Sequence, residues 1–154
     1  MLLKQTTYST SAVLLQYAES DSLTTGMPLP VNTSDPDQLI KFMSRAGGIL
    51  FLHGDPNLDN QKRNIAIQVF VSFQPNQIFD FCRSWLRKWS QNKGALWYQE
   101  WQSITDRADP TELADILLSH DEHRVRQRLS SPVGEMLDFE TILKIKRATQ
   151  DEAA

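Results

Sequence analysis

The side chains best suited to contacting another molecule are concentrated in one short segment of the sequence. All four tryptophans lie between positions 85 and 101, interleaved with lysine and arginine. The residues predicted to bind a partner are Arg87, Lys88, Lys93, Trp97, Tyr98 and Trp101. Large aromatic and arginine side chains carry much of the binding energy of protein interfaces. The segment therefore predicts a surface that binds another protein or a second copy of the chain.

Single-stranded nucleic acid is the alternative partner for residues 83–101. Aromatic rings can stack on unpaired bases while nearby cations contact the phosphates. Segment 76–107 is locally positive, with five basic and three acidic residues. Residues 108–154 carry six basic and ten acidic residues, and the whole chain has a net charge of -3. The C-terminal third therefore repels phosphate, and an exposed aromatic surface more often marks a protein partner than a nucleic acid, so a protein partner is favoured.

Some of these aromatic residues also fit an ordinary hydrophobic core. Trp85 and Trp89 are four positions apart and continue a stripe that starts at Phe81. A stripe in helical register usually faces the core, so we favour packing for this pair. Trp97 and Trp101 would share one side of either a helix or a strand. The binding hypothesis requires that at least one of these two is accessible to solvent.

His53 and Asp55 form the one pattern that points to catalysis. They follow the apolar run Ile49–Leu52, and this order resembles the strand and His-Gly turn near the oxyanion hole of the α/β-hydrolases. The G-x-S-x-G nucleophile motif of that family is absent, and 154 residues are too few for its sheet. A small enzyme of unassigned type that uses His53 and Asp55 is the third hypothesis, behind the two binding hypotheses.

Two clusters of side chains that could bind metal lack the rest of a site. Residues 55–60 space oxygen ligands like the start of a calcium loop, but the glycine and glutamate that complete an EF-hand loop are missing. His120 and His123 have no third ligand at motif spacing. Cys82 is the only cysteine, which excludes an internal disulfide and a thiolate cage. We predict polar turns at both clusters and no metal or cofactor.

The predicted fold class is α+β. The clearest strand is Asn64–Phe73, in which Ile, Val and Phe alternate with other residues at a period of two. A polar loop over Gly54–Arg63 joins it to a shorter strand, Ile49–Leu52, and the two are predicted to form the centre of a small antiparallel sheet. Thr6–Tyr17 favours a strand, although a short helix also fits. Residues 95–104 stay unassigned.

Capping signals predict helices that cover this sheet and fill the C-terminal third. The predicted helices are Pro36–Ala46, Asn76–Asn92, a helix that begins at Asp109 and covers Leu113–Leu117, Glu122–Leu129 and Asp138–Thr149. Asp35 and Asp109 are each followed by proline, which is typical of an N-cap and first helical position. The Gly47-Gly48 pair is predicted to end the first helix by allowing a left-handed cap.

The composition predicts one domain over residues 1–149 and a frayed tail over 150–154. Hydrophobic residues make up 40% of the chain and charged residues 23%, which is typical of a globular domain. No stretch approaches the roughly 18 apolar residues of a membrane span, and no signal-peptide core is found. We therefore expect a cytoplasmic protein without membrane contact. Since no catalytic motif occurs at standard spacing, the predicted function is a non-catalytic interaction module or accessory subunit.

Overall fold

The structure is a computed structural model that describes residues 10–51 and 56–153, and these residues form helices joined by turns. The α-helices in these ranges are α1 (Thr10–Thr25), α2 (Pro36–Leu50), α3 (Pro56–Ser72), α4 (Pro75–Lys88), α5 (Leu96–Arg107), α6 (Pro110–Leu118), α7 (Glu122–Leu129) and α8 (Phe139–Ala153). Short 3-10 helices at Ser90–Asn92 and Val133–Met136 follow α4 and α7. Neither range contains a strand, so the predicted α+β class with its antiparallel sheet is wrong.

Helix α3 lies at the centre of the fold, and it contains the predicted strand Asn64–Phe73. It packs against α2, α6, α7 and α8 and against the 3-10 helix Val133–Met136. Because neighbours surround it, its apolar residues are buried on more than one face: Ile65, Ala66, Ile67, Val69 and Phe70. A run rich in β-branched residues without a single apolar face is typical of a buried strand as well as of a buried helix. Packing on several sides overrides the strand propensity here.

The buried face of α3 begins with polar residues, so its helical periodicity is not visible in the pattern of apolar residues. Asn60, Arg63, Ile67 and Phe70 are all buried and recur at intervals of three and four. This is the spacing of one face of a helix. The first two positions of this face are the polar residues Asn60 and Arg63. The described part of the predicted loop Gly54–Arg63 therefore has the composition of a loop but is helical.

Helix α2 continues through the Gly47-Gly48 pair, so the strand predicted over 49–52 is wrong for the residues that the structure describes. Gly47 is buried against α3, where Asn60 Nδ2 donates a hydrogen bond to the Ser44 carbonyl at 3.1 Å. A Cβ atom at Gly47 would collide with the Asn60 amide. This glycine therefore allows two helices to approach closely, and it does not form a cap.

Replacing Gly47 with alanine is expected to lower the free energy of unfolding by about 1–3 kcal/mol, because overpacking pushes Asn60 away from α2. This loss outweighs the gain of about 1 kcal/mol from the higher helix propensity of alanine. Gly48→Ala is the matched control, since a Cβ there meets nothing within 4 Å. Urea unfolding followed by circular dichroism measures both variants. Equal midpoints for the two would contradict the close-packing role.

Helix α1 replaces the strand that Thr6–Tyr17 favours, for a reason similar to that in α3. Leu14, Ala18 and Asp21 are its buried residues, and they recur at intervals of four and three. The carboxylate at the third position breaks the apolar pattern of this face, so the sequence shows only a short helical repeat. Residues 6–9 lie outside the described part of the chain.

The predicted N-caps at Asp35 and Asp109 are confirmed. Asp35 and Asp109 each accept a hydrogen bond of 3.0 Å from the backbone N–H two residues on, and each precedes a proline at the start of a helix. The helix predicted over Glu122–Leu129 has the predicted bounds. The helix predicted over 76–92 begins one residue earlier, at Pro75, and ends at Lys88. Capping residues at helix starts therefore predict helices correctly where the apolar periodicity of the sequence does not.

Helices α4 and α5 pack against each other and position the tryptophans. The unassigned residues 95–104 belong mainly to α5, which ends at Ala108 in the left-handed conformation with φ of 46°. The buried face of α4 consists of Ile78, Phe79, Cys82 and Leu86. Helix α5 also contacts α7, so its opposite side is covered as well.

Cys82 lies in the core, and burial raises the pKa of its thiol from 9.0 to about 12. The folded state therefore keeps the thiol proton that the unfolded state releases. Stability contributed by this proton is complete below pH 9 and is lost as the pH rises toward 12, by up to about 1.4 kcal/mol per pH unit. Urea unfolding at several pH values between 8 and 11 should show a shallower decline for Cys82→Ala than for the parent. Parallel curves would contradict this prediction.

Candidate functional site

An exposed cluster of tryptophans lies where the end of α4 meets the start of α5. The rings of Trp85 and Trp97 are 5.2 Å apart at a tilt of 55°, and those of Trp85 and Trp89 are 6.4 Å apart. Trp85 and Trp97 are half-buried, whereas Trp89 is 44% exposed and Leu96 is 72% exposed. We call Trp85, Trp89, Leu96 and Trp97 the indole corner.

Two of the predicted partner-binding residues lie in the core beneath this corner. Tyr98 is buried, and its hydroxyl donates to the Leu86 carbonyl at 2.9 Å. Trp101 is 0% exposed, and its Nε1 donates to the Gln127 carbonyl at 3.1 Å. These bonds hold α5 against α4 and α7. Tyr98 and Trp101 are therefore core residues, and Trp97 is the predicted aromatic residue that is partly exposed at the corner.

The three predicted cationic residues are exposed and lie close to the indole corner in sequence. Arg87, Lys88 and Lys93 are exposed, and among the described residues none has a carboxylate within 4.0 Å. Arg83, by contrast, pairs with Asp80 at 2.9 Å and donates to the Thr105 carbonyl. The corner thus combines exposed apolar area with nearby positive charge that is not paired, within 4.0 Å, with a carboxylate of the described residues.

A buried ion pair that the sequence reading missed lies at the centre of the fold. Arg63 of α3 is 0% exposed, and its Nη2 is 2.9 Å from Oδ1 of Asp21 on α1. Its Nε donates to the Leu118 carbonyl of α6 at 2.9 Å, and its Nη1 donates to the Met43 carbonyl of α2 at 3.3 Å. Burial raises the pKa of Asp21, because desolvation outweighs the attraction of the guanidinium. One side chain therefore links α3 to three other helices.

A second buried arginine, Arg128 of α7, is only partly satisfied. Its Nη1 donates to the carbonyls of Ile116 and Ser119, each at 2.8 Å. Its Nε and Nη2 are buried and have no hydrogen-bond partner within the described ranges. Burial, with repulsion from Arg63, lowers the pKa of Arg128 to about 9. Arg128 also lines a pocket of about 360 Å³ between α3, α8 and the 3-10 helix Val133–Met136.

His120 and Asp121 form the predicted polar turn between α6 and α7. Asp121 accepts a hydrogen bond from the Arg124 N–H at 3.4 Å and so begins α7. His120 Nε2 is 3.2 Å from Ser20 Oγ, a pairing that could serve a nucleophile and base. Within the described residues no carboxylate hydrogen-bonds the ring to orient it, and no three metal-ligand side chains come together.

No protein-family model, curated protein or solved structure matches this chain. The proposals below therefore depend on the geometry of its own residues. His53 and Asp55, the predicted catalytic pair, lie outside the described residues. Among the helices that the structure describes, none has the length and apolarity needed to cross a bilayer.

Proposed function

We propose that this chain is a non-catalytic interaction module whose indole corner binds an acidic, partly apolar segment of another protein. The observation that carries this proposal is the exposure of Trp89 and Leu96 close in sequence to three exposed cations, none of which has a carboxylate of the described residues within 4.0 Å. An apolar centre with a charged rim is the usual anatomy of a protein interface. Tryptophan contributes large contact area at low entropic cost, which suits it to the centre of such a surface.

The shape of the corner favours a protein over nucleic acid. Base stacking needs open ring faces spaced along a groove. Trp85 and Trp97 pack on each other and are half-buried, which leaves Trp89 as the one strongly exposed indole of this cluster. A single strongly exposed ring suits one apolar side chain of a peptide better than a series of bases. The excess of acidic residues after position 107 also repels a long polyanion.

Trp89→Ala is expected to weaken binding of acidic peptides at least about tenfold, as for a central interface residue. The probe is a labelled peptide library in which glutamate and aspartate alternate with leucine and phenylalanine, read by fluorescence anisotropy. Leu23→Ala is the matched control, since Leu23 is 88% exposed on α1 and lies far from the corner in sequence. Equal affinity of Trp89→Ala and the parent, or no binding of any acidic peptide, would refute the proposal.

The charge requirement is tested separately. Lys93→Glu should weaken the same peptides, whereas Lys144→Glu, on the exposed side of α8, should leave their affinity unchanged. Weaker binding of a charge-reversed peptide library is also expected. Mixed-sequence single-stranded RNA and DNA oligonucleotides form the competing arm. If these bind more tightly than the peptides and lose affinity steeply with salt, the partner is nucleic acid and the proposal is wrong.

A further inference from the structure

The pocket beside Arg128 has features of a binding site that are independent of the indole corner. Its volume is about 360 Å³, enough for a small organic molecule. Helix α3 forms one wall, α8 a second, and residues 131–135 the third. The lining includes the apolar side chains of Leu58, Ile65, Val133 and Ile142. Apolar walls with a few polar groups are typical of small-molecule sites.

Arg128 is one of the polar residues that line this pocket. Its side chain is 3% exposed, and the carbonyls of Ile116 and Ser119 occupy only Nη1. Two buried donors, Nε and Nη2, are left without a partner among the described residues. A buried donor without a partner costs about 1–3 kcal/mol, more when it is charged. Adjacent guanidinium N–H groups form a fork that matches the two oxygens of a carboxylate or phosphate.

The charges around the pocket also favour an anion. Lys62 and Lys146 line it together with Arg128, and Glu135 is the acidic residue among the described lining residues. The charges of Asp59 and Asp21 act on Arg128 from nearby, but desolvation and the repulsion from Arg63 are larger. The lining therefore keeps an excess of positive charge.

We propose that this pocket binds a small amphipathic anion, with an apolar body against Ile65, Val133 and Ile142 and an oxyanion head group that Nε and Nη2 of Arg128 reach when the guanidinium turns toward the pocket. Lys62 and Lys146 then neutralise the head group at the pocket mouth. A carboxylate and a phosphate monoester share this chemistry. The head group would satisfy both orphan donors of Arg128 and offset the cost of its desolvation.

The test uses sodium octanoate and hexyl phosphate as amphipathic anions, with 1-octanol as the neutral control and inorganic phosphate as the head group alone. Calorimetry measures their affinities, and the ¹H–¹⁵N signal of the Arg128 Nε–H group reports where they bind. We expect one or both amphipathic anions to bind and to shift this signal, with octanol and inorganic phosphate much weaker. The stronger of the two anions identifies the head group.

A pair of variants keeps the test independent of folding, because Arg128→Gln could disrupt α7 through the lost bonds of Nη1. Lys62→Gln/Lys146→Gln should weaken the better anion by about tenfold. Lys144→Gln/Arg147→Gln removes the same charge from exposed positions on α8 outside the pocket and should have no effect. Four results would overturn the proposal: neither anion binds, the Arg128 signal does not move, both pairs of variants lose affinity for the anion equally, or a crystal with octanoate shows only an ordered water on Nε and Nη2.

Discussion

Replacing Arg63 with methionine is expected to lower the free energy of unfolding by about 3–5 kcal/mol, the range for breaking a buried ion pair. The variant strands the carboxylate of Asp21, which is 0% exposed, in a dry environment. It also leaves the Leu118 carbonyl without the two hydrogen bonds, at 2.9 and 2.6 Å, that Arg63 donates. Urea unfolding followed by circular dichroism measures the loss.

Two companion variants separate the ion pair from the hydrogen bonds. Asp21→Leu/Arg63→Met removes both charges, so it should be more stable than Arg63→Met alone but less stable than the parent, because the backbone carbonyls stay without donors. Arg87→Met, at an exposed arginine, is the matched control and should change stability by less than about 0.5 kcal/mol. A loss below about 1 kcal/mol in Arg63→Met would show that the pair is not buried as described.

Trp101→Ala is expected to lower the free energy of unfolding by about 3–5 kcal/mol, as for other large-to-small changes in a core. Its indole is 0% exposed and lies between α5 and α7, so alanine leaves a large cavity. The bonds from Nε1 to the Gln127 carbonyl and Ser130 Oγ are lost as well. Trp101→Phe should fall between alanine and the parent, because it keeps ring volume but no donor.

Trp89→Ala is the matched control for this prediction, since it removes the same side chain from a position that is 44% exposed. Its loss of stability should be small, within about 1 kcal/mol. The two tryptophans thus have opposite expected profiles: Trp101 affects folding, and Trp89 affects binding. Comparable losses of stability in the two variants would contradict the burial that distinguishes them.

Helix starts could be predicted because they depend on local chemistry. The helical structure of α3 could not, because it depends on long-range packing. An aspartate followed by proline fixes the first turn of a helix without reference to the rest of the chain, which is why Asp35 and Asp109 were identified correctly. The class of α3 depends on what surrounds it. Once several helices cover it, a run such as Ile65–Phe70 is buried on several sides and has no unique period.

Polar residues in the core explain most of the other incorrect predictions of secondary structure. Asp21, Asn60 and Arg63 occupy buried helical positions where the pattern requires apolar side chains. A charged residue is rarely buried without a partner, and Asp21 and Arg63 are 42 positions apart, so the sequence gives no sign that they meet. A search for helical spacing that tolerates polar residues would have found α3.

Residues of the candidate sites could be predicted only by composition. The basic and aromatic segment was recognised, and Arg87, Lys88 and Lys93 are exposed in it. Whether a tryptophan is exposed depends on how α5 packs on α4 and α7. Residue type alone does not distinguish Trp89, which is exposed, from Trp101, which is buried. Likewise, the arginines at 124, 126 and 128 alternate along α7, and only the position of α6 decides that the last is buried.

Helix α3 makes contacts that span long stretches of the chain. Asn64 bonds to Thr149 across 85 positions, and Arg63 bonds to Leu118 across 55. The α4–α5 hairpin closes over a short span, with Tyr98 bonded to Leu86 only 12 positions away. Closing a long loop costs more chain entropy than closing a short one. The α4–α5 hairpin should therefore form early, and the helices that surround α3 should pack against it late. The central helix of the native protein would then be among the last to be enclosed during folding.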